Sequence, residues 1–275
     1  MIYPVLLAAL AFWALVALRD RPLKIYVAIY FTCVLLTAVA ESLLLRILEV
    51  YEWHMWLLPD PRDDLVVTGM LVGFGLDPLL GVLYARYCRR RPLLLALVGA
   101  ALLFALEWWM VVEGYLIYLR AWHPLVTAAA FFGFFMVVWR IAAGAIRVPL
   151  WAHTLGLTLW LHLLSDMLLQ GIAGLWTFPV NWSGDPWEEN RVISVILHLL
   201  IISPLITVVA VAPTRNRALW GAGAALALFL AEGAAWSYGL LDYHGWSVGL
   251  SFTRWVVLVN VPVLYAWWMR EKGQG

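Results

Sequence analysis

Glu41, Glu107, Asp166 and Glu232 are carboxylic acids set inside long apolar stretches, and they recur in step. Glu41 precedes Glu107 by 66 residues, and Asp166 precedes Glu232 by the same interval. A proline stands between each pair, Pro78 and Pro204, 29 and 28 residues before the closing glutamate. Beyond that glutamate the chain repeats again, as Glu107-x6-Gly114-x3-Tyr118 then Trp122, and Glu232-x6-Gly239-x3-Tyr243 then Trp246. An ionisable side chain within a membrane span is expensive, so each acid marks a candidate site for a proton, a cation or a polar ligand group. The competing reading is structural: each acid, near the outer end of its helix, snorkels to water or bonds a neighbouring helix.

Other residues could join such a site. Asp77 precedes Pro78, and Ser203 takes the matching place before Pro204. A mid-span proline frees a carbonyl one turn back, which kinks the helix and can open a polar cavity. His162 lies one turn before Asp166 on the same helical face, and His198 falls at similar depth in the next apolar run. The three could ligate a metal or haem, but their spacing matches no ligand signature, so a polar contact between helices is the simpler account and no metal site is assigned. Trp108, Trp109 and Trp236 stand within one turn of Glu107 and Glu232, where aromatic faces could steady a cation. They could equally belong to the interfacial aromatic belt with Trp53, Trp56, Trp122, Trp176, Trp182, Trp246, Trp267 and Trp268.

The elements that must carry these residues are membrane helices. The chain is 64% hydrophobic and 13% charged, with mean hydropathy +0.87, whereas soluble domains are about 25% charged. Nine apolar runs are each read as one span, at about 2–18, 25–47, 65–86, 93–112, 124–140, 149–175, 191–212, 218–240 and 251–269. The fold class is thus all-α, a polytopic transmembrane helix bundle. The first run has no basic segment before it and no small-residue cleavage site after it, so it reads as a retained helix. A net charge of +1 excludes a nucleic-acid footprint. A disulfide between Cys33 and Cys88, the only cysteines, is not expected, and no Cys–His metal spacing, phosphate-binding glycine loop or nucleophile elbow is present.

Thirteen of the 18 basic residues, from Arg19 and Arg86 to Arg270 and Lys272, lie after odd-numbered spans. Arg46, Arg62, Arg120, Arg191 and Arg254 occupy the other face. The positive-inside rule then places the N-terminus outside and the C-terminus in the cytoplasm of a plasma-membrane protein. Spans two to five and six to nine form two parallel four-helix repeats, span one being left over, with domains at 1–145 and 146–275. The expected consequence is that the four duplicated acids lie in one outer layer, around a pseudo-axis along the membrane normal. Small-residue stretches at Gly221–Ala225 and Ala142–Ala145 would permit close helix approach.

The run Tyr51-x-Trp53, Asp64, Pro78, Glu107, Gly114, Tyr118, Trp122 resembles a family of small five-helix membrane proteins of spore-forming Firmicutes, a family without an established biochemical function. The resemblance implies that spans one to five constitute one complete member and spans six to nine a second copy without its first helix. The second copy departs from the pattern at Ser203 for Asp77, at Asn190 for Asp64, and at Trp176, which has no preceding Tyr-x.

Three functions fit these residues. The first is binding or transport of a small or lipid-like ligand, or of a proton or cation, at the intramembrane carboxylates. The second is an intramembrane enzyme acting on an isoprenoid, in the manner of terpenoid cyclases, with Glu or Asp as general acid and Trp faces around a carbocation. The third is a structural subunit packed against a membrane partner or another copy of itself. No cofactor is assigned, and membrane lipid is the expected surrounding.

Overall fold

A computed structural model describes residues 2–20, 22–54, 57, 61–120, 122–166, 176–177, 196–212, 216–243, 245 and 247–270. The chain divides into two compact units, Met1–Pro149 and Leu150–Gly275. Among the described residues, six helical stretches are long and apolar enough to cross a membrane: Leu23–Leu44, Val67–Tyr87, Pro92–Val112, Pro124–Ala142, Arg217–Ser237 and Val248–Arg270. Val5–Leu18 and Leu199–Val211 are shorter apolar helices. Large apolar side chains such as Phe12, Leu15, Leu97, Leu102, Leu219 and Trp220 are exposed on these helices. Only a hydrocarbon surrounding makes such surfaces favourable, and the chain is a multi-pass membrane protein.

The first unit runs α1 (Ile2–Leu18), α2 (Leu23–Glu41), β1 (Tyr51–Trp53), α3 (Pro61–Met70), α4 (Asp77–Tyr87), α5 (Pro92–Val112), β2 (Leu116–Tyr118) and α6 (Pro124–Ala142). A π-helical segment, Ser42–Ile47, extends α2, and another, Leu71–Leu76, joins α3 to α4. The second wide turn has a cause in Pro78, which has no N–H to offer the carbonyl of Phe74 one turn back. Two hydroxyls from α2 replace the missing donors: Tyr30 donates to Phe74 O and Thr37 to Gly73 O, both at 2.6 Å.

The second unit runs α7 (Leu150–Asp166), β3 (Trp176–Thr177), a π-helical Ile196–Ile202 leading into α8 (Ser203–Val211), α9 (Arg217–Ser237), β4 (Asp242–Tyr243) and α10 (Val248–Arg270). Pro204 again follows the wide turn. Here Thr207 donates to Ser203 O at 2.7 Å and lies 3.4 Å from the Thr158 hydroxyl.

Glycine sets the end of the helix that carries each glutamate. Gly114 and Gly239 take φ of +76° and +71°, the left-handed residue that stops a helix at C′. The next amide then bonds five residues back, Tyr115 to Met110 O and Leu240 to Ala235 O, each at 2.8 Å. The chain reverses there into a short strand, which explains the glutamate-x6-Gly-x3-Tyr spacing in both units.

Those strands are the departure from an all-helical expectation. β1 pairs antiparallel with β2, Tyr51 opposite Tyr118, and β3 pairs with β4, Trp176 opposite Tyr243. Trp176 therefore occupies the place of Tyr51 in the ladder, not that of Trp53 as motif matching suggested. The small-residue stretches also differ in use. A Cβ at Gly221 would sit 2.7 Å from the Asn260 side chain, so this stretch does face α10 closely. Ala143, Gly144 and Ala145 are instead exposed, and Gly144 at φ +75° ends α6 as a helix stop.

Candidate functional site: a carboxyl-lined cavity in the first unit

Glu107 is carried on α5 and is 8% exposed. Its Oε1 accepts hydroxyls from Tyr118 at 2.6 Å and Thr127 at 2.9 Å, while Oε2 takes no protein donor among the described residues. The Trp122 indole N–H donates to Thr127 at 2.9 Å, so Trp122, Thr127 and Glu107 form a chain of donors ending on the carboxyl. Burial, and after it the neighbouring Glu107, hold the Tyr118 phenol above its ordinary value, and it remains a donor at physiological pH. Glu41 closes α2 and accepts the Tyr51 hydroxyl at 3.1 Å. Because Tyr51 and Tyr118 are opposite one another in the ladder, one strand pair ties the Glu41 and Glu107 clusters together.

Asp77 is the third acid. It is 5% exposed and makes no hydrogen bond or ion pair among the described residues. All three acids line one cavity of about 500 Å³, within the range of pockets that hold small organic ligands. Most of the remaining wall is apolar, with Leu103, Leu106, Met110, Phe131, Phe134 and Val137 among it, and Thr37, Tyr51, Trp122 and Thr127 add hydrogen-bonding groups. Among the described residues, no lysine, arginine or histidine lines it. Of the predicted acids, Glu41, Asp77 and Glu107 are thus brought together.

Glu232 of the second unit is equally buried, at 8% exposed, but differently partnered. Its Oε1 accepts from Tyr243 at 2.8 Å and Ser251 at 2.6 Å. The Trp255 indole donates to Oε2, and the Arg254 guanidinium lies 3.6 Å from the same oxygen. That guanidinium also lies 4.7 Å from the centre of the Trp255 ring, an ordinary cation–π distance. Sequence reasoning counted Arg254 as an outer-face charge. It lies in the second turn of α10 with its side chain 7% exposed, paired to a buried acid rather than free at the surface.

His162 is fully buried, its ring 5.5 Å from that of Trp255. The side chains of Asp166 and His198 lie outside the described residues, as does Asn190. No group of three or more His, Cys, Asp or Glu side chains that could hold a metal is found among the described residues. Trp108 and Trp236 are each 53% exposed. Trp108 stacks on Phe104 and does not line the cavity, and Trp236 lies 6.0 Å from Tyr243. The indoles beside the glutamates are Trp122 and Trp255, which follow in the chain rather than adjoin. Sequence reasoning also missed Thr127 and Ser251, the hydroxyls 20 and 19 residues past each glutamate.

The spacing of those hydroxyls exposes one substitution. Arg254 and Trp255 stand three and four residues beyond Ser251, where Ala130 and Phe131 stand beyond Thr127. Both Ala130 and Phe131 line the cavity. The first unit has a space where the second has a cation.

Comparison of the chain with protein-family models, curated proteins and solved structures finds no match to any of them.

Proposed function

We propose that the chain is a binding or transport protein for a small, lipid-like molecule, which it holds in the cavity of the first unit. The observation that carries this reading is the cavity itself: about 500 Å³ of largely apolar space around Glu41, Asp77 and Glu107. A packed helical core has few voids larger than a water, and a buried acid such as Asp77, with no partner among the described residues, is costly in such a space unless a ligand or proton compensates it. The terpenoid-cyclase alternative shares the acids but relied on Trp108, which is on the outer surface, so ligand holding is favoured.

Three further assignments belong to the same proposal. The helices constitute nine spans, with the N-terminus outside and the C-terminus in the cytoplasm of the plasma membrane, as the distribution of basic residues supports. The two units are copies of one four-helix repeat. Support comes from matching acids, prolines, glycine caps, strand pairs and tyrosine-to-glutamate bonds. The likeness to the small five-helix family rests on the same residues.

Filling the cavity tests the function. Ala130→Trp should displace a lipid-like species that co-purifies with the wild-type protein, detected by mass spectrometry of organic extracts. A variant that folds and retains the same species would contradict the reading. A reporter on the C-terminus that reads external, or a tag at Pro179–Asp185 that reads cytoplasmic, would contradict the orientation.

A further inference from the structure

We infer that the ligand of this cavity is an organic amine, protonated and carried on an apolar body, with Asp77 and the open Oε2 of Glu107 as its acceptors. The inference rests on the cavity being a ligand site and names the chemistry of that ligand. Donors in the wall, and Tyr118 behind it, are already committed: Tyr51 to Glu41, Tyr118 and Thr127 to Glu107, Thr37 to Gly73 O and Trp122 to Thr127. What remains is acceptor capacity, most plainly at Asp77, which is 95% buried by its 5% exposure and has no donor among the described residues. A ligand that meets these carboxyls in their ionised form therefore brings N–H or O–H groups. With three carboxyls and no basic side chain among the described lining residues, the wall disfavours negative charge on that ligand.

The second unit supplies the chemical precedent. There a cation of this chain, the Arg254 guanidinium, sits between the Glu232 carboxyl and the Trp255 ring. Matched from the hydroxyl that bonds each glutamate, the first unit offers a carboxyl at Glu107, an aromatic ring at Phe131, and Ala130 where the arginine would be. A ligand ammonium there would make the two contacts that Arg254 makes, charge to carboxyl and charge to ring. The leucine, phenylalanine and methionine walls would take its hydrocarbon. A single-chain amine satisfies both halves of the site, whereas a fatty acid or an anionic headgroup fails at the acids.

The test uses full-length protein in nanodiscs of zwitterionic lipid, titrated with decylamine, decanol or decanoate, with empty discs subtracted. Decylamine should bind saturably. Asp77→Asn, which keeps the shape and removes the charge, should weaken it by about tenfold or more, the worth of one charged hydrogen bond. Ala130→Arg, which supplies the cation internally, should abolish it. Binding of decanol or decanoate as tight as that of decylamine, or undiminished decylamine binding by Asp77→Asn, would overturn the amine assignment while leaving the cavity a ligand site. Failure of all three chains to bind the wild type would overturn both.

Discussion

Glu107 and Glu232 sit on helices of the same length, end in the same glycine-capped turn, and accept a tyrosine hydroxyl from eleven residues further on. They differ in what completes them. Glu232 is closed by Arg254 and Trp255 from within the chain, while Glu107 opens onto a cavity shared with Glu41 and Asp77. The second unit thus carries an acid closed by a cation of the chain, and the first an acid that opens onto a cavity. The lesson is that burial of a carboxyl does not by itself mark a site. The missing partner does.

The contrast makes graded predictions. Removing the guanidinium should have the largest effect on stability: Arg254→Ala leaves Glu232 buried and unpaired and should cost about 3–5 kcal/mol, read by equilibrium unfolding in detergent. A loss below about 1 kcal/mol would make the pair no better than a surface bridge and erase the distinction between units. In the first unit, Tyr30→Phe strands the Phe74 carbonyl that Pro78 cannot satisfy, at a cost of about 1–3 kcal/mol by the same assay. Gly114→Ala and Gly239→Ala each force a side chain into the left-handed region, and each should cost about 1–2 kcal/mol. Equal losses sharpen the likeness of the two caps; a loss at one alone would break it. The smallest effect is expected from Asp77→Asn, which gives up no protein partner. It should leave the unfolding midpoint within about 0.5 kcal/mol of wild type.

Much of the scaffold was legible because apolar runs of span length admit few alternatives in a bilayer. The acids, the prolines and the glycine caps were legible because their spacing recurs. The ladders were not: strands of two or three residues carry no periodicity, and Tyr51 pairs with a segment far along the chain. Thr127 and Ser251 were invisible for a related reason, since a hydroxyl on the next helix reads as an ordinary span residue until the hairpin is closed. Trp108 misled because adjacency in a helix places neighbours about 100° apart, so the residue beside a buried glutamate faces outward. Trp122, fifteen residues on, reaches the cluster because the chain has turned back. The three-acid cavity followed from Asp77, whose significance depended on which wall of α4 it lined.

The account's central claim is that the first unit's glutamate serves a ligand while the second unit's serves the fold. Native mass spectrometry of the full-length protein released from lipid discs, wild type beside Glu107→Gln and Glu232→Gln, tests it most directly when each variant's unfolding midpoint is recorded on the same preparation. The account predicts that Glu107→Gln keeps its stability and loses the bound species. Glu232→Gln, which leaves Arg254 facing a neutral amide, should lose stability and keep the bound species wherever it remains folded. Retention of the bound species by Glu107→Gln, or its loss from a folded Glu232→Gln, would contradict it.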